Sequence, residues 1–415
     1  MIDEGSLSGS SRPTLLVLAS TYPRWAGDPE PGFVHELAKR LTQRFRVIAL
    51  VPHAPGARQR ETFEGVEVVR YRYAPERLET LVNDGGIVAN LKRDRWKRLL
   101  LPTFVLAQAW GVWCLCRREK VDVLHAHWLI PQGLVAALLQ LLPGRKVPFV
   151  VTSHGADLYA LRGRALQALK RWVLARASRS TVVSSAMRET VAALGADVGK
   201  VAVLPMGVDL QERFVPDETL PRSRSELLFV GRLVEKKGLR HLLDALPEVL
   251  RVRPDVTLTV AGFGPDEAKL KAQVAALGIG HAVRFLGAVP QAELPALYRR
   301  AALFVAPFVQ AGSGDQEGLG LVLVEAIGCG CPVLAGDVPA VRDVLSVDPN
   351  ECLVDPRDAG SLAAKVLRAI ERREQTMAQA AKLRALLLAR LDWASVAHRY
   401  ADLLAGARPR LDVTR

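Results

Sequence analysis

The feature that most constrains the fold is an alternation of short apolar runs with longer amphipathic runs, repeated along the whole 415-residue chain. Short apolar runs are typical of buried strands, and the amphipathic runs have the length and period of helices. The alternation predicts an α/β fold with parallel sheets. The expected strands are residues 15–19, 47–51, 66–71, 121–125, 149–152, 180–183, 201–204, 227–230, 257–261, 283–286, 303–306 and 332–335. The expected helices are residues 32–44, 132–142, 164–177, 186–194, 239–252, 266–277, 292–300, 321–327, 359–374 and 377–404.

The alternation is interrupted at residues 205–224, where PMGVDLQERFVPDETLPRSR carries three prolines, mixed charge and little periodicity. The chain is longer than one ordinary domain of roughly 100 to 200 residues. We therefore expect two doubly wound domains, residues 1–205 and 206–392, joined at this linker. Such a pair places a ligand cleft between the carboxyl ends of its strands.

The most informative stretch, residues 313–345, reads SGDQEGLGLVLVEAIGCGCPVLAGDVPAVRDVL. A small polar loop leads directly into an apolar helix, whose first N–H groups and dipole favour an anion. Glu317 stands in the loop and Glu325 in the helix. N–H groups for phosphate, placed beside carboxylates for hydroxyls, are the layout of a nucleotide-sugar pocket.

Two further loops follow strands of the second half and should face the same cleft. GRLVEKKG, residues 231–238, offers Arg232 as a planar fork and Lys237 as a point charge for a diphosphate. A solvated basic loop is the alternative interpretation. AGFGPDE contains Gly262 and Gly264, where a missing side chain would admit a ligand close to the backbone.

In the first half, TSHGADLY follows a predicted strand, so His154 and Asp157 are expected to reach the cleft from the opposite wall. A lone histidine in this position is as often structural as functional. LHAHW places His125 and His127 at another strand end. Packing is favoured for His125, and a metal site is discounted because no third ligand with suitable spacing is near.

Signatures of several other functions do not occur in the sequence. The first strand is followed by STYPRWAGDPEPG and not by GxGxxG, and there is no Walker loop, G-x-S-x-G elbow or D-x-D pair. Dinucleotide oxidoreduction loses its main support, and no cofactor or metal is expected. A leaving phosphate would then be stabilised by Arg232, Lys237 and helix N–H groups. Nucleic acid is not an expected partner, since no helix-turn-helix, zinc-finger or RNA-binding signature occurs.

The net charge of +13 is concentrated in residues 1–205, which contain 29 Lys and Arg against 17 Asp and Glu. This excess fits an anionic membrane surface or a phosphate-bearing acceptor, although Arg-rich composition can also reflect codon bias. Residues 99–116, LLLPTFVLAQAWGVWCLC, are apolar, basic at both flanks and slightly short for a membrane span. A helix packed on a sheet is favoured here, and peripheral membrane contact through the basic flank is the intermediate interpretation.

The five cysteines lack the paired spacing of a zinc site and indicate reduced thiols. The first 20 residues lack the basic start, apolar centre and cleavage site of a signal peptide. We therefore expect a cytoplasmic location, with peripheral association at the inner face of the membrane as the further expectation.

The stretch EGLGLVLVEAIGCGCPVLA resembles the E-x7-E region of retaining glycosyltransferases of family 4, which have the GT-B fold of two Rossmann-like domains. GRLVEKKG, AGFGPDEAKL, VRFLGAVPQAELPALYRRAALFVAPF, TSHGADLY and LHAHW occur in that family's order and approximate spacing. The resemblance covers nearly the whole chain. It implies two doubly wound parallel-sheet domains that face a central cleft.

The resemblance also implies a role for each matching residue. Arg232 and Lys237 would hold the donor diphosphate, while Glu317 and His154 would contact the transferred sugar. Glu325 would hydrogen-bond the ribose. The other positions implied at the donor are Gly264, the backbone N–H groups of Gly320, Leu321 and Val322, and Val289 in a segment beside the base.

On the acceptor side the sequence departs from the family pattern. The first loop reads YPRWAGDPEPGF and lacks the adjacent glycines of many relatives, so Gly32 is their stand-in, with Asp157 as a second acceptor-side residue. The family pattern places a final helix, residues 393–410, back on the first domain. It also implies a front-face attack in which the leaving phosphate accepts the acceptor's proton, without a protein nucleophile.

The expected protein is thus a metal-independent transferase. It would move a hexose from a nucleotide-diphosphate sugar, with retention, to a sugar or lipid-linked acceptor in polysaccharide or glycolipid assembly. A glycan phosphorylase or a nucleotide-sugar epimerase of the same fold is the alternative, against which the pairing of GRLVEKKG with EGLG argues. A non-catalytic sugar-nucleotide-binding protein is another, against which the presence of both glutamates and both cations argues.

Overall fold

The structure, a computed structural model, describes residues 12–28, 30, 32–83, 86–144, 146–347 and 349–408. Two separate sheets form within these residues, one in each half of the chain. Residues 1–11 of the expected first domain lie outside this range, as do residues 409 and 410 of the expected final helix.

The first sheet has eight strands, and its buried strands are covered by helices on both faces. The strands are β1 (Thr14–Leu18), β2 (Arg46–Pro52), β3 (Arg60–Phe63), β4 (Val66–Tyr71), β5 (Val121–His127), β6 (Phe149–Ser153), β7 (Arg179–Val182) and β8 (Val201–Val203). Their order is β3-β4-β2-β1-β5-β6-β7-β8, and all neighbours are parallel except β3 and β4. Residues of β1 alternate between two cores, with Leu16 on one face and Leu15 on the other.

Among the described residues, seven α-helices belong to this half. They are α1 (Phe33–Leu41), α2 (Gly86–Arg93), α3 (Leu100–Arg118), α4 (Leu134–Leu139), α5 (Ala156–Tyr159), α6 (Arg164–Arg176) and α7 (Ser185–Ala193).

The second sheet has six strands, and all of its neighbours are parallel. The strands are β9 (Glu226–Val230), β10 (Thr257–Ala261), β11 (Val283–Gly287), β12 (Leu303–Ala306), β13 (Val333–Gly336) and β14 (Leu353–Val354). Their order is β11-β10-β9-β12-β13-β14. The helices that follow are α8 (Leu239–Val252), α9 (Glu267–Ala276), α10 (Leu294–Arg300), α11 (Leu321–Gly328), α12 (Pro349–Cys352), α13 (Ala359–Glu371), α14 (Arg373–Leu391) and α15 (Trp393–Gly406).

The predicted fold of two doubly wound parallel-sheet domains is confirmed, and every expected strand is present. Two strands were not expected. β3, with the polar sequence RETF, lies antiparallel at the sheet edge, where no apolar run is needed. β14 is only two residues long, too short to produce a periodic signal.

The prediction of one continuous helix over residues 377–404 is wrong, because the helix is broken at Asp392. Its backbone is extended, and its buried carboxylate accepts hydrogen bonds from the N–H groups of Ala394 and Leu210 and from the side chain of Gln211. Asp392 therefore caps α15 and ties it to the linker.

α15 lies on the first sheet. It packs against α1 and buries Trp393 and Tyr400 in the core beneath β1. The Tyr400 hydroxyl donates to the carbonyl of Leu204 at 2.7 Å. The chain thus passes between the two sheets twice, near Val208 and at Asp392, and these two residues form a parallel bridge. The expected domain limits at residues 205 and 392 stay a prediction.

Residues 99–116, the apolar run of the sequence, form most of α3. By length and composition, α3 with the turn before it could cross a membrane. In this fold, however, α3 packs on the first sheet with Phe104 and Gln108 fully buried. Gly111 permits close packing, because a Cβ there would lie 3.1 Å from the Leu50 side chain. The structure therefore confirms the favoured interpretation of a helix packed on a sheet. The opposite face of α3 is exposed.

Candidate functional site

The candidate site lies where the loops at the carboxyl ends of the two sets of strands meet. In the second domain these loops follow β9, β10 and β12, and in the first domain they follow β5 and β6. Parallel strands bring their carboxyl ends to one edge of a sheet, so the loops of each sheet are collected at a single wall. Most of the motifs found in the sequence lie in these loops.

The loop after β12 ends at Gly320, which precedes α11. Gly320 has a left-handed backbone with φ 87°, and a Cβ there would lie 3.1 Å from the ring of Phe308. Glycine is therefore required by both the conformation and the packing. The first N–H groups of α11, at Leu321 and Val322, have no intrahelical acceptor and can receive an anion.

An ion pair joins this loop to the loop after β9. The Lys237 ammonium lies 2.6 Å from a Glu317 carboxylate oxygen, with both side chains 14% exposed. Burial acts to raise the pKa of Glu317, but Lys237, Lys236 and the Gly318 N–H together lower it to about 2. Lys237 also lies 4.7 Å above the Phe308 ring. Glu317 is therefore a carboxylate at any physiological pH.

The neighbouring charges reinforce this connection. Lys236 pairs with Asp315 at 3.1 Å and donates to the carbonyl of Gln316 at 3.3 Å. Arg232 is half-buried; burial lowers its pKa, whereas Glu30 of the first domain and Asp315 raise it. The second-domain wall thus brings together three cations from the GRLVEKKG loop.

Glu325 lies inside α11 and is 8% exposed. It accepts a hydrogen bond from the Tyr298 hydroxyl at 3.0 Å. Burial raises the pKa of Glu325 to about 7, although the Tyr298 hydrogen bond and the charge of Lys237 lower it. The two glutamates of this stretch therefore differ in protonation: Glu317 is ionised, and Glu325 titrates near neutrality.

The interpretation that Gly262 and Gly264 leave room for a ligand needs correction. A Cβ on Gly262 would lie 1.9 Å from the carbonyl oxygen of Gly231, and one on Gly264 would lie 2.4 Å from that of Leu233. These glycines allow the loop after β10 to pack on the loop after β9. Gly264 therefore supports the cationic loop, and its missing side chain makes room for protein backbone.

The part of the first-domain wall around His154 is aromatic, and its histidines are neutral. His154 lies 5.0 Å, between ring centroids, from both Phe33 and Trp128, and it stacks on His127. The nitrogens Nε2 of His154 and Nδ1 of His127 are 2.9 Å apart. Burial, with a smaller contribution from His125, lowers the pKa of His154 to about 3, so its ring is neutral and can hydrogen-bond a hydroxyl.

Trp128 has an unusual backbone. Its φ is 74°, in the left-handed region that a bulky residue rarely adopts. Its N–H donates to the Thr152 carbonyl at 2.7 Å, which fixes the turn after β5. Strain of this kind persists where the surrounding structure imposes it, often at functional sites.

The two walls touch at Gly318. A Cβ on Gly318 would lie 2.8 Å from the carbonyl oxygen of His154 and 3.3 Å from Val183. Nearby, the guanidinium of Arg162 occupies the space beside Gly314. The sequence-predicted His154 and Glu317 are thus brought to opposite sides of one contact, as the residues of a shared site require.

A second contact between the domains lies beyond the loop. The Ser185 N–H at the start of α7 donates to the Asp343 carboxylate at 2.6 Å. A carboxylate at a helix start is stabilised by the free N–H groups and by the helix dipole.

Asp157, expected on the acceptor side, has its carboxylate engaged inside the protein, and the ligand contact expected of it stays a prediction. Its carboxylate is buried and accepts hydrogen bonds from the Leu129 N–H at 2.6 Å and the Ser153 hydroxyl at 2.8 Å. Burial raises the pKa of Asp157. Asp157 therefore holds the turn after β5 against β6, a bracing role that the strand-end pattern alone cannot distinguish from ligand contact.

The other two expected contact residues are Gly32 and Val289. Gly32 begins α1 with φ −88°, and a Cβ there would meet only Pro23 at 3.7 Å, so this position does not demand glycine. Val289 follows β11, is half-buried and packs its side chain on the core, which leaves its backbone for contacts outside. The ligand contacts expected of both residues stay predictions.

Two family models match the chain. Residues 33–212 match the model described as Glycosyltransferase Family 4, and residues 211–384 match the one described as Glycosyl transferases group 1. The two matches meet at the linker between the sheets.

Among curated proteins, the chain is 32% identical over 291 residues to the GDP-mannose-dependent alpha-(1-6)-phosphatidylinositol monomannoside mannosyltransferase of Mycolicibacterium smegmatis. That match covers 67% of this chain and 75% of the relative. It is 29% identical over 302 residues to the glycogen synthase of Mycobacterium tuberculosis, covering 70% of each.

Solved structures show the same fold. Sucrose-phosphate synthase from Thermosynechococcus elongatus superposes with a TM-score of 0.78 at 20% identity, covering 95% of this chain and 99% of that one. Anabaena HepE in complex with UDP-glucose has a TM-score of 0.70 at 18% identity, covering 95% of this chain and 99% of that one. The fold and the paired walls define a glycosyltransferase of the GT-B type. The chain belongs to glycosyltransferase family 4.

Several site residues could not be singled out from the sequence. Trp128 directly follows the LHAH strand end. This position is the feature of the sequence that could have identified Trp128 as a site residue. Phe33, Arg162 and Tyr298 gave no local signal, because each acts on a residue distant in the chain.

The contact between the walls can be tested by enlarging Gly318. Gly318→Ala places a methyl group 2.8 Å from the His154 carbonyl oxygen. The two walls must move apart to make room for this methyl group. We expect glycosyl transfer to fall by about tenfold or more, because displacements of an ångström in an active site are costly. Nucleotide affinity, measured by calorimetry, should stay within about twofold, because the nucleotide contacts are expected in the second domain.

Gly312→Ala is the matched control, since its Cβ would meet only Glu235 at 3.6 Å. Equal activity of the two variants would show that the contact does not matter for transfer.

Proposed function

We propose that this glycosyltransferase moves a hexosyl group from a nucleotide-diphosphate sugar to an acceptor hydroxyl with retention of anomeric configuration. The observation that carries the proposal is the ion pair between Lys237 and Glu317 beside the start of α11. At this point cations, a carboxylate and free helix N–H groups lie together. The cations and N–H groups can bind a diphosphate, and the carboxylate can bind sugar hydroxyls.

The charges suggest how a donor would be received. A diphosphate at the start of α11 would attract Lys237 and Arg232, since both are partly desolvated and phosphate is doubly charged. Lys237 would then be shared with phosphate, which frees oxygens of Glu317 for sugar hydroxyls. Glu317 is ionised and can accept such bonds without first losing a proton.

The proposed chemistry is a front-face displacement. The bond from the anomeric carbon to the phosphate oxygen breaks, and its electron pair stays on the diphosphate. The acceptor oxygen attacks from the same face, and its proton passes to the leaving phosphate oxygen. Arg232, Lys237 and the α11 N–H groups would stabilise the developing charge, a task for which no metal is required in this proposal.

The first-domain wall would bind the sugar and the acceptor. His154 is neutral and packed between aromatic rings, so it can donate or accept a hydrogen bond but does not carry charge. A neutral aromatic wall suits the faces and hydroxyls of a sugar. This arrangement separates phosphate recognition on one wall from hydroxyl recognition on the other.

The acceptor is proposed to be a sugar or a lipid-linked molecule in polysaccharide or glycolipid assembly. The excess of basic residues in the first half favours a phosphate-bearing or membrane-held acceptor. Relatives are named for glycogen synthesis and for a phosphatidylinositol mannoside, which represent these two classes. We further infer that the enzyme acts in the cytoplasm. The cysteines among the described residues are free thiols, which is typical of cytosolic proteins.

The decisive experiment offers the protein a panel of donors that includes GDP-mannose and UDP-glucose, the donors named for similar proteins. We expect one donor to raise the melting temperature and to release its nucleoside diphosphate when an acceptor is added. Proton NMR of the product should show the donor's anomeric configuration. Inverted product would overturn retention, and sugar 1-phosphate formed from inorganic phosphate would indicate a phosphorylase.

Lys237→Ala tests the diphosphate contact. The variant should weaken donor binding by about 1.5 to 3 kcal/mol, roughly ten- to a hundredfold, because a charge-assisted hydrogen bond to phosphate is lost. Calorimetry with the best donor measures this. Lys236→Ala is the matched control: it removes the adjacent ion pair to Asp315 and should change donor affinity by about twofold at most. Equal affinities for the two variants would refute the assignment.

The raised pKa of Glu325 predicts a pH dependence. Only the carboxylate accepts hydrogen bonds with both oxygens, and the pKa of about 7 means that this form increases as pH rises through neutrality. Donor KM should therefore be lower at pH 8 than at pH 6. Glu325→Gln should remove that part of the pH profile, and a profile unchanged in the variant would contradict the ribose assignment.

A further inference from the structure

The exposed face of α3 is apolar along the helix. Leu106 and Trp110 in α3 are 69% and 65% exposed, and Leu99 and Trp96 in the preceding turn are 78% and 46% exposed. Trp110 stacks on Trp113 with 4.9 Å between ring centroids. Scattered exposed apolar residues are ordinary, whereas a row of large ones indicates a binding surface. These five residues are called the α3 surface.

Both ends of the α3 surface carry exposed cations. Arg95 and Arg98 lie at its start and Arg117 and Arg118 at its end, and residues 95–118 contain no Asp or Glu. The flanking acids at positions 94 and 119 are held in ion pairs with basic residues. Trp and Leu on one face, bordered by Arg, are the composition of helices that lie in an anionic membrane interface.

The position of α3 relates this surface to the cleft. β4 and β5 belong to the same parallel set of strands, so the connection between them begins at their carboxyl edge and α3 runs back along the sheet. Trp96 and Leu99 therefore lie toward the edge at which His154 and Trp128 are found. The α3 surface begins near the rim of the cleft.

We propose that the α3 surface binds an anionic lipid bilayer, with the helix lying in the membrane plane. It does not span the bilayer in this fold, since Phe104 and Gln108 on its other face are buried against the sheet. A second copy of the chain fits less well, because both ends of the surface are basic and a twofold pairing brings like charges together. The inference deepens the proposed function and rests on it in one respect: a lipid-linked acceptor would enter the cleft from its rim.

Sedimentation of the full chain with vesicles tests the proposal. Vesicles of phosphatidylcholine alone are compared with vesicles that also contain phosphatidylglycerol. We expect binding to the anionic vesicles that weakens with added salt. Leu106→Glu/Trp110→Glu should lower the partition coefficient by about tenfold or more, because two apolar anchors become charges of the repelled sign.

The matched control is Met377→Glu/Leu386→Glu, which places the same two charges on exposed positions of α14. It should bind as the wild type does. Leu99→Glu, at the most exposed position, is a second variant in case the double substitution lowers stability. Melting curves with the panel donor show whether each variant is folded and still receives the donor.

Each outcome decides between the alternatives. Wild-type binding no stronger than that of Leu106→Glu/Trp110→Glu would overturn the proposal. So would a wild-type dimer that this variant converts to monomer without any vesicle binding, since the surface would then pair two copies. Vesicle binding without any donor response would leave the α3 surface standing and count against the proposed function.

Discussion

The interaction on which the site depends is the partly buried ion pair between Lys237 and Glu317. It joins loops that follow β9 and β12, neighbouring strands whose carboxyl ends lie at one edge. Breaking such a pair by removing one partner leaves a buried charge, so the two loops hold each other in place. The second pair, between Lys236 and Asp315, repeats the connection at a more exposed position. The cations are thereby fixed before a donor arrives, which lowers the reorganisation that binding requires.

The aromatic cluster on the opposite wall complements this ion pair, because its histidines are neutral. Burial keeps His154 and His127 neutral, and Phe33 and Trp128 surround them with ring faces. In the proposed function, the ionised loop on one side and the neutral rings on the other would divide a nucleotide sugar between them at its anomeric carbon. The walls meet at Gly318, where a residue with a Cβ would collide with the His154 carbonyl oxygen. Only glycine allows the two walls to come this close, and the reacting bond would lie near this contact.

The sequence predicts most of this architecture, since apolar periodicity is a local property and each strand shows it. It also predicts the cationic loop and the acidic loop, because both follow strand ends. Contacts that depend on distant partners were not accessible in this way. The break at Asp392 depends on Leu210, 182 residues away, and Gly264 was assigned to a ligand because its sequence does not reveal the Leu233 carbonyl beside it. Asp157 follows the same strand-end rule as His154, yet its carboxylate turns inward to the Leu129 N–H.

The paired crossings between the domains have a consequence for how such proteins diversify. The Val208 N–H donates to the Leu391 carbonyl at 2.9 Å, and the Trp393 N–H donates to the Val208 carbonyl at 3.2 Å, so the chain leaves and re-enters the first domain at one point. The second domain, which is proposed to bind the donor, is thus a single insertion with adjacent ends. Recombination at these two positions could exchange the insertion between relatives and leave the first domain closed by α15. Donor and acceptor preference can then evolve as separate modules of one gene.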